Sequence, residues 1–233
     1  FNIRTAEELA GLAKLVRNGN SMKNTMINLV SDVTLNDTTN FDNWDEQPPA
    51  NNWTAIGAVP IEAPNVNVVM TVQPECRNTV FAGMFNGNGH TISGMYSLHH
   101  NYAGLFARTS GIITNVIVKD SYIQCINTQK VESGDTALWE ACAGGITAIC
   151  DRGVISHCEF DGKIFASGLN QVGYGTHGSF AGGIVGKFSD DENGVAAVVM
   201  MFALVPAGFL INPALFLTAS GQQVITDPGI YSC

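Results

Sequence analysis

Three carboxylates in this 233-residue chain best fit acid–base chemistry: Asp120, Glu159 and Asp161. Cleavage of a polysaccharide needs two or three acids on one face of the fold. An internal repeat with a spacing of 42 would place Asp120 opposite Gly162 (162 − 120), which puts Asp161 on the other face of its strand. The acids at 190–192 predict a solvated turn. Because the sequence has no serine nucleophile elbow, no His-Glu-x-x-His and no P-loop, we expect a non-catalytic protein.

A second group of side chains suits recognition. Three segments, residues 97–101, 127–140 and 168–179, each precede a recurring Ala-Gly phrase. If the repeats stack, these segments leave the fold along one edge, where flat aromatic and polar groups could bind a sugar or a peptide. Independent solvent-exposed loops are the alternative. The predicted ligand-binding residues are His99, His100, Tyr102, Trp139, Glu140, Tyr174 and His177.

The histidines predict structural roles and no metal site. His90 lies in a glycine-rich turn, where we expect it to hydrogen-bond to the corner. His157 stands where Asn115 stands one repeat earlier, which predicts a stacked turn position. The adjacent His99 and His100 have no further ligand at helical or hairpin spacing. We therefore predict that the protein needs neither a metal nor another cofactor.

The elements that would position these groups come from the repeat. A phrase of the type Ala-Gly-Leu or Ala-Gly-Gly-Ile recurs, and its glycines Gly104, Gly145 and Gly183 have spacings of 41 (145 − 104) and 38 (183 − 145). Such a near-constant period predicts stacked repeats. Each repeat holds two strand-like runs, which predict two rungs of about 20 residues. Short strands with glycine corners favour a parallel β-helix over a β-sandwich, because a sandwich does not explain the recurrence.

The N-terminal segment predicts one amphipathic helix. Thr5 and Glu8 form a capping box, and the phrase at 18–20 (Asn-Gly-Asn) ends the helix. A single helix before a solenoid suggests a cap over the open end of the core. We expect this α-helical cap to occupy residues 1–20. The residues predicted on its buried face are Leu9, Leu12, Leu15 and Val16.

The repeats are predicted over residues 21–193, and residues 194–233 form an apolar C-terminal segment. Residues 195–217 carry no charge and are long enough to span a bilayer, although Pro206 and Pro213 argue against a regular helix. The favoured alternative is that residues 195–201 form one more buried rung and that the rest is a hydrophobic cap or a partner-binding segment. Membrane contact, self-association and a tail unrelated to the repeat remain open.

Composition narrows the class of partner. The formal net charge is −9, which disfavours nucleic acid and anionic membranes and suits a soluble extracellular protein. Charged residues make up only 13% of the chain, so a core of ordinary size can form. No Cys-x-x-Cys occurs, and inward-facing packing of the cysteines is favoured over disulfides. The six cysteines are Cys76, Cys125, Cys142, Cys150, Cys158 and Cys233.

Several phrases together resemble the GLUG-repeat proteins of bacterial cell surfaces. They are residues 81–92 (Phe-x-Gly-x-Phe-Asn-Gly-Asn-Gly-His-Thr-Ile), 104–106 (Gly-Leu-Phe), 111–116 (Gly-x-Ile-x-Asn-Val), 3–9 and 53–57. The resemblance covers about residues 2–188. It implies a right-handed parallel β-helix on a secreted or wall-associated, often adhesin-like protein, and it brings no catalytic residues with it.

We therefore expect an all-β, non-catalytic secreted or cell-surface module that acts as a spacer or binds a glycan or protein. Two alternatives stay open at this point. One is a polysaccharide lyase or hydrolase that uses Asp120 or Asp161. The other is a structural subunit of an extracellular assembly that docks through its apolar tail.

Overall fold

The structure is a computed structural model that describes residues 1–58, 80–127, 141–168 and 179–189, with the backbone of 199 and 200. It contains helix α1 (Ala6–Arg17) and a 3-10 helix at Phe41–Asn43. The strands are β1 (Asn2–Ile3), β2 (Met26–Leu29), β3 (Val33–Thr34), β4 (Met84–Asn86), β5 (Thr91–Ser93), β6 (Tyr96–His99), β7 (Tyr102–Ala103), β8 (Phe106–Thr109), β9 (Ile112–Thr114), β10 (Ile117–Asn127), β11 (Ala141–Gly144), β12 (Thr147–Asp151), β13 (Val154–Ser156), β14 (Glu159–Gly168), β15 (Ser179–Gly182), β16 (Val185–Ser189) and β17 (Val199–Met200). The described chain is therefore mostly β.

These strands form four sheets, and all the pairings between described strands are parallel. Sheet 1 has the order β1-β2-β4-β9-β13-β17. Sheet 2 has the order β14-β10-β5-β3, and β6 also pairs with β10. Sheet 3 has the order β15-β11-β7, and sheet 4 has the order β16-β12-β8.

The strand pairing reproduces the repeat that the sequence predicted. Ile113 pairs with Ile155, one repeat later in the chain, and Ala143 pairs with both Ala103 and Ala181. The prediction of two rungs per repeat is wrong, because residues 112–151 supply β9, β10, β11 and β12, one strand to each sheet. The corners redirect the chain into the next sheet instead of returning it to the same one.

Helix α1 begins where the capping box predicts. Thr5 is the N-cap, and its hydroxyl accepts a hydrogen bond from the amide of Glu8 at 3.3 Å. The Glu8 carboxylate accepts from the amide of Arg4, one residue earlier than the capping box predicts. Of the four residues expected on the buried face, Leu15 is exposed. The helix buries Leu9, Leu12, Ala13 and Val16 in the same hydrophobic cluster as the strands.

The recurring phrase supplies core residues at the corner between sheets 3 and 4. Leu105 and Ile146 are fully buried, and Ile184 is 7% exposed. The amide of Ile146 donates to the carbonyl of Ile184 at 3.0 Å, and the amide of Phe106 donates to the carbonyl of Ile146 at 2.8 Å. These bonds connect the three copies of the phrase at the same corner, as the period predicts.

The cysteines among the described residues are buried or partly buried, in agreement with the predicted packing role. Cys125 and Cys150 lie in the main core, and the partly buried Cys158 packs against it. Cys142 is buried in a separate cluster with Ala148 and Ile149. Cys76 and Cys233 lie outside the described residues.

Alkaline pH should destabilise the fold through these buried thiols. Burial raises the pKa of both Cys150 and Cys158 to about 11, whereas an unfolded cysteine titrates near pH 8.5, at about its reference value. The unfolded chain therefore loses its thiol protons first. Between pH of about 8.5 and 11, each buried thiol should lower the free energy of unfolding by about 1.4 kcal/mol per pH unit. Urea titrations at pH 7, 9 and 10 would measure the slope.

Cys150→Ala is the matched control for this pH dependence. The variant should lose some stability at pH 7, because it leaves a small cavity, but its stability should fall less steeply above pH 9. An unchanged slope would show that Cys150 does not contribute to the alkaline transition.

The C-terminal segment is represented by β17 alone. Its backbone pairs with β13, with Val199 opposite Ile155. The remainder of residues 194–233 lies outside the described residues. The predictions of membrane contact or self-association through residues 195–217 fall mostly on those residues. Among the helices that the structure describes, none is long and apolar enough to cross a membrane.

Candidate functional site

The strands beside the three predicted binding segments stack in register. In sheet 2, His99 at the end of β6 pairs with Cys125, and Asn127 at the end of β10 pairs with Gly168. In sheet 3, Cys142 pairs with Tyr102 and Phe180. The connections β6–β7, β10–β11 and β14–β15 thus start and finish at neighbouring strand ends. We call the three connections, residues 100–101, 128–140 and 169–178, the loop edge.

Two predicted site residues at the loop edge hold backbone in place. The Nδ1 atom of His99 accepts hydrogen bonds from the amides of Asn101 and Tyr102, each at 3.1 Å. These bonds keep Nδ1 unprotonated and tighten the turn between β6 and β7. The Nδ1 atom of His100 lies 3.1 Å from the carbonyl oxygen of Ile126, so it must carry the proton and donate. Both rings therefore link the loop edge to the strands.

Tyr102 lies partly buried beside the same turn. Tyr102 packs against two buried clusters, one of Ala55, Ala58 and Ala107 and one of Cys142, Ala148 and Ile149. The structure therefore places His99, His100 and Tyr102 together at one end of the loop edge. Four further predicted site residues lie outside the described residues: Trp139, Glu140, Tyr174 and His177.

The three candidate acids lie on the paired strands β10 and β14, where the register puts Asp120 at the level of Asp161. A β-bulge between Val118 and Ser121 gives β10 one extra residue, so Gly162 pairs with Ser121 and the alignment of Asp120 with Gly162 is wrong by one residue. The side chain of Glu159 points to Lys119, with 3.6 Å between carboxylate oxygen and ammonium nitrogen. Asp120 and Asp161 are both exposed, which leaves no enclosed pair of carboxylates between them.

His90 and His157 occupy the turns that the sequence predicted. The Nδ1 atom of His90 lies 3.2 Å from a carboxylate oxygen of Asp32, and that oxygen also accepts the amide of Thr91 at 2.8 Å. The Thr91 amide and then His90 lower the pKa of Asp32. His157 and Asn115 follow paired strand ends and have left-handed backbone, with φ of 53° and 54°. Within the described ranges, no group of three His, Cys, Asp or Glu could hold a metal ion.

An aromatic cluster on the outer face of sheet 2 was missed by the sequence analysis. Tyr96 and Tyr122 stack with ring centroids 5.7 Å apart, and Phe165 lies 5.5 Å from Tyr122. Trp44, which directly follows the 3-10 helix, packs edge-on against Tyr96 at 6.1 Å. The ammonium of Lys163 donates to the carbonyl of Asp42 at 2.7 Å and holds this segment on the sheet.

One signal could have revealed the cluster. Along β10, Tyr122 and Gln124 alternate with Ile123 and Cys125, which belong to the main core, so the alternation places an aromatic ring on the outer face of the strand. Tyr96 precedes its partner Tyr122 by much less than one repeat, so the repeat alignment does not pair them. Phe165 remains 49% exposed and extends the cluster toward solvent.

Comparison with known proteins gives a distant structural likeness. No family model and no curated protein matches the sequence. A crystal structure of a putative immunoglobulin A1 protease from Bacteroides ovatus is similar over 85% of this chain, with 12% sequence identity and a TM-score of 0.38. The chain spans about half of that protein, since the match covers 55% of its length.

Proposed function

We propose that this chain is a non-catalytic binding module of a secreted or cell-surface protein, built as a right-handed parallel β-helix of the GLUG-repeat kind. Three features support this architecture: parallel sheets, a repeat that contributes one strand to each sheet, and α1 packed into the shared core. In this proposal α1 caps the N-terminal end and prevents edge-to-edge association there. The ligand is a glycan or an extended peptide.

The observation that carries the proposal is the register of the strands beside the loop edge. Because β6, β10 and β14 end side by side, three connections of different sequence can present their side chains to one ligand. The rigid strands position the connections, as in other folds whose binding residues sit on loops. The backbone bonds of His99 and His100 fix the first connection, which reduces the ordering cost of binding.

The net charge and the surroundings of the candidate acids favour ligand binding over catalysis. The net charge of −9 repels polyanions and favours a neutral or cationic ligand. A polysaccharide lyase or hydrolase is less well supported, because Asp120 and Asp161 are solvent-exposed and Glu159 faces Lys119. The indole ring of Trp139 has the flat apolar shape that suits a sugar ring or an aromatic side chain.

A glycan array and a peptide library, each probed with the full chain, test the proposal. We expect at least one ligand class to bind, with affinity reduced about tenfold or more by Trp139→Ala or Tyr174→Ala, since one buried aromatic contact contributes about 1.4 kcal/mol or more. Binding to the purified hit can be measured by titration calorimetry. Circular dichroism would establish that the variants are folded.

Phe165→Ala is the matched control, because it removes a half-exposed ring from sheet 2 away from the loop edge. The control should bind like the natural chain. If Phe165→Ala loses binding while the loop variants keep it, the ligand binds on the outer face of sheet 2 and the loop-edge assignment fails. If no class binds, only the spacer role remains.

A further inference from the structure

A cleft of about 410 Å³ lies between helix α1 and strand β1. Phe1 and Leu15 line this cleft although they are 74% and 47% exposed. We call it the N-terminal groove. Its other apolar lining residues are almost fully buried: Ile3, Leu12, Met22 and Ile27.

Strand β1 turns an open edge toward this groove. Among the described strands, β1 is the first of sheet 1 and pairs with β2 alone. The carbonyls of Phe1 and Ile3 accept hydrogen bonds from the amides of Asn28 and Val30, at 2.8 and 2.9 Å. Because successive residues of a strand direct their backbone groups to opposite sides, the N–H and C=O of Asn2 point away from β2. Asn2 also lines the groove, so these two groups can bond to an added strand.

The opposite wall of the groove is one stripe of α1. Glu8, Gly11, Leu15 and Asn18 all line the groove, are all exposed, and follow one another at helical spacings of 3, 4 and 3 (11 − 8, 15 − 11, 18 − 15). Leu15 is the residue of this stripe that the sequence predicted to be buried. A chain lying in the groove would bury it.

Gly11 stands in the middle of the stripe. Glycine in the interior of a helix is destabilising relative to alanine. A Cβ atom at Gly11 would meet nothing within 4 Å, so no contact among the described residues requires a glycine there. A second backbone in the groove would require one, because the missing side chain lets that backbone approach α1 closely.

The charges on the groove define the complementary ligand. Glu8 lies at the end of β1, since its carboxylate accepts the amide of Arg4 at 2.6 Å. Lys14 lies six residues further (14 − 8), or about 9 Å along the helix axis. Phe1, at the start of β1, lines the same groove as Lys14, so α1 runs back along β1. An extended chain covers 9 Å in about three residues.

We propose that the N-terminal groove binds an extended segment of a partner protein, which adds to sheet 1 as a strand parallel to β1. The other pairings of sheet 1 are parallel, and in this direction the segment passes Lys14 before Glu8. The segment therefore has an acidic residue, then two β-branched apolar residues, then a basic residue. The groove leaves room for one strand beside β1, which is compatible with the capping role proposed for α1. This second site goes beyond the proposed function at the loop edge.

A fluorescein-labelled peptide Ser-Glu-Val-Val-Lys-Ser, titrated with the full chain and followed by fluorescence anisotropy, tests the proposal. We expect saturable binding, and Gly11→Leu should weaken it about tenfold or more, because the new side chain fills the groove. Leucine is a strong helix former, so the variant should stay folded, which circular dichroism checks. Ala10→Leu is the matched control. Ala10 is exposed on α1 but does not line the groove, so this variant should bind like the natural chain.

A charge reversal tests the direction of the bound strand. Lys14→Glu should weaken binding of the same peptide about threefold, since it replaces an attractive pair with a repulsive one. The peptide Ser-Lys-Val-Val-Lys-Ser should bind Lys14→Glu better than it binds the natural chain. Preference of both chains for the same peptide would contradict the parallel arrangement.

Four results would overturn the proposal. Absence of saturable binding, or equal binding by Gly11→Leu, would show that the groove does not take the peptide. Self-association in sedimentation velocity that Gly11→Leu abolishes would assign the groove to a second copy. Binding to phosphatidylcholine vesicles that Gly11→Leu abolishes would assign it to a membrane. Trp139→Ala changes the loop edge and should leave peptide binding in the groove unchanged, so the two proposals fail separately.

Discussion

An alanine at Gly145 should lower the free energy of unfolding by about 3 kcal/mol or more, because the added methyl group has no room. A Cβ atom at this position would overlap the carbonyl oxygen of Gly183 and the ring of Phe160. Gly145 directly follows β11, and its amide donates to the carbonyl of Gly182 at 3.2 Å. The methyl group would therefore push apart two copies of the recurring phrase at the corner between sheets 3 and 4.

Urea unfolding followed by circular dichroism measures this loss, and Gly11→Ala is its matched control. Gly11 lies in the interior of α1, where a Cβ atom would meet nothing within 4 Å. Alanine should therefore stabilise the helix by about 0.5–1 kcal/mol through its higher helix propensity. If Gly145→Ala were as stable as the natural chain, the close stacking of the two phrases would not exist in solution.

Corners of this kind could be predicted from sequence because their requirements are local. A position without room for a Cβ atom needs glycine, and a corner with positive φ favours asparagine or a similar polar residue. The corner glycines Gly104, Gly145 and Gly183 therefore recur at spacings of 41 (145 − 104) and 38 (183 − 145), and His157 follows Asn115 by 42 (157 − 115). The apolar residues beside these corners mark the core. The burial and hydrogen bonds of Leu105 and Ile146 confirm that interpretation.

The number of strands per repeat could not be predicted in the same way. Along sheet 1, the sequence separation is 58 from Ile27 to its partner Phe85 (85 − 27), 28 from Phe85 to Ile113 (113 − 85) and 42 from Ile113 to Ile155 (155 − 113). An inserted loop can extend outward from a corner without changing the register of the strands on either side, because loop length costs little free energy. Spacing alone therefore does not reveal how many corners one repeat contains.

The candidate site could likewise be predicted from the sequence only in part. The order of the segments predicted a loop edge, because it depends only on which strand follows which connection. The sequence did not reveal that the Nδ1 atoms of His99 and His100 bond to backbone groups, since those contacts depend on the exact turn geometry. The contact of Trp44 with Tyr96 was likewise hidden, because the two rings lie far apart in sequence and no repeated phrase relates them.

The core between the sheets contains three large aromatic rings that no single strand could bury. Phe106 is fully buried, and its ring centroid lies 4.9 Å from that of Phe81 and 5.4 Å from that of Phe85. Phe106 belongs to sheet 4, and Phe85 belongs to sheet 1. The three rings thus join two sheets across the interior, and their separations fall in the range of favourable aromatic pairs.

Phe106→Ala should therefore cost about 3–5 kcal/mol of unfolding free energy, because it leaves a cavity that two sheets cannot collapse into. Phe165→Ala removes the same ring from a half-exposed site and should cost about 1 kcal/mol or less. Urea unfolding of both variants measures the difference, and an unchanged m-value would show that both still unfold as the natural chain does. Equal losses in the two variants would mean that the interior ring contacts do not form in solution.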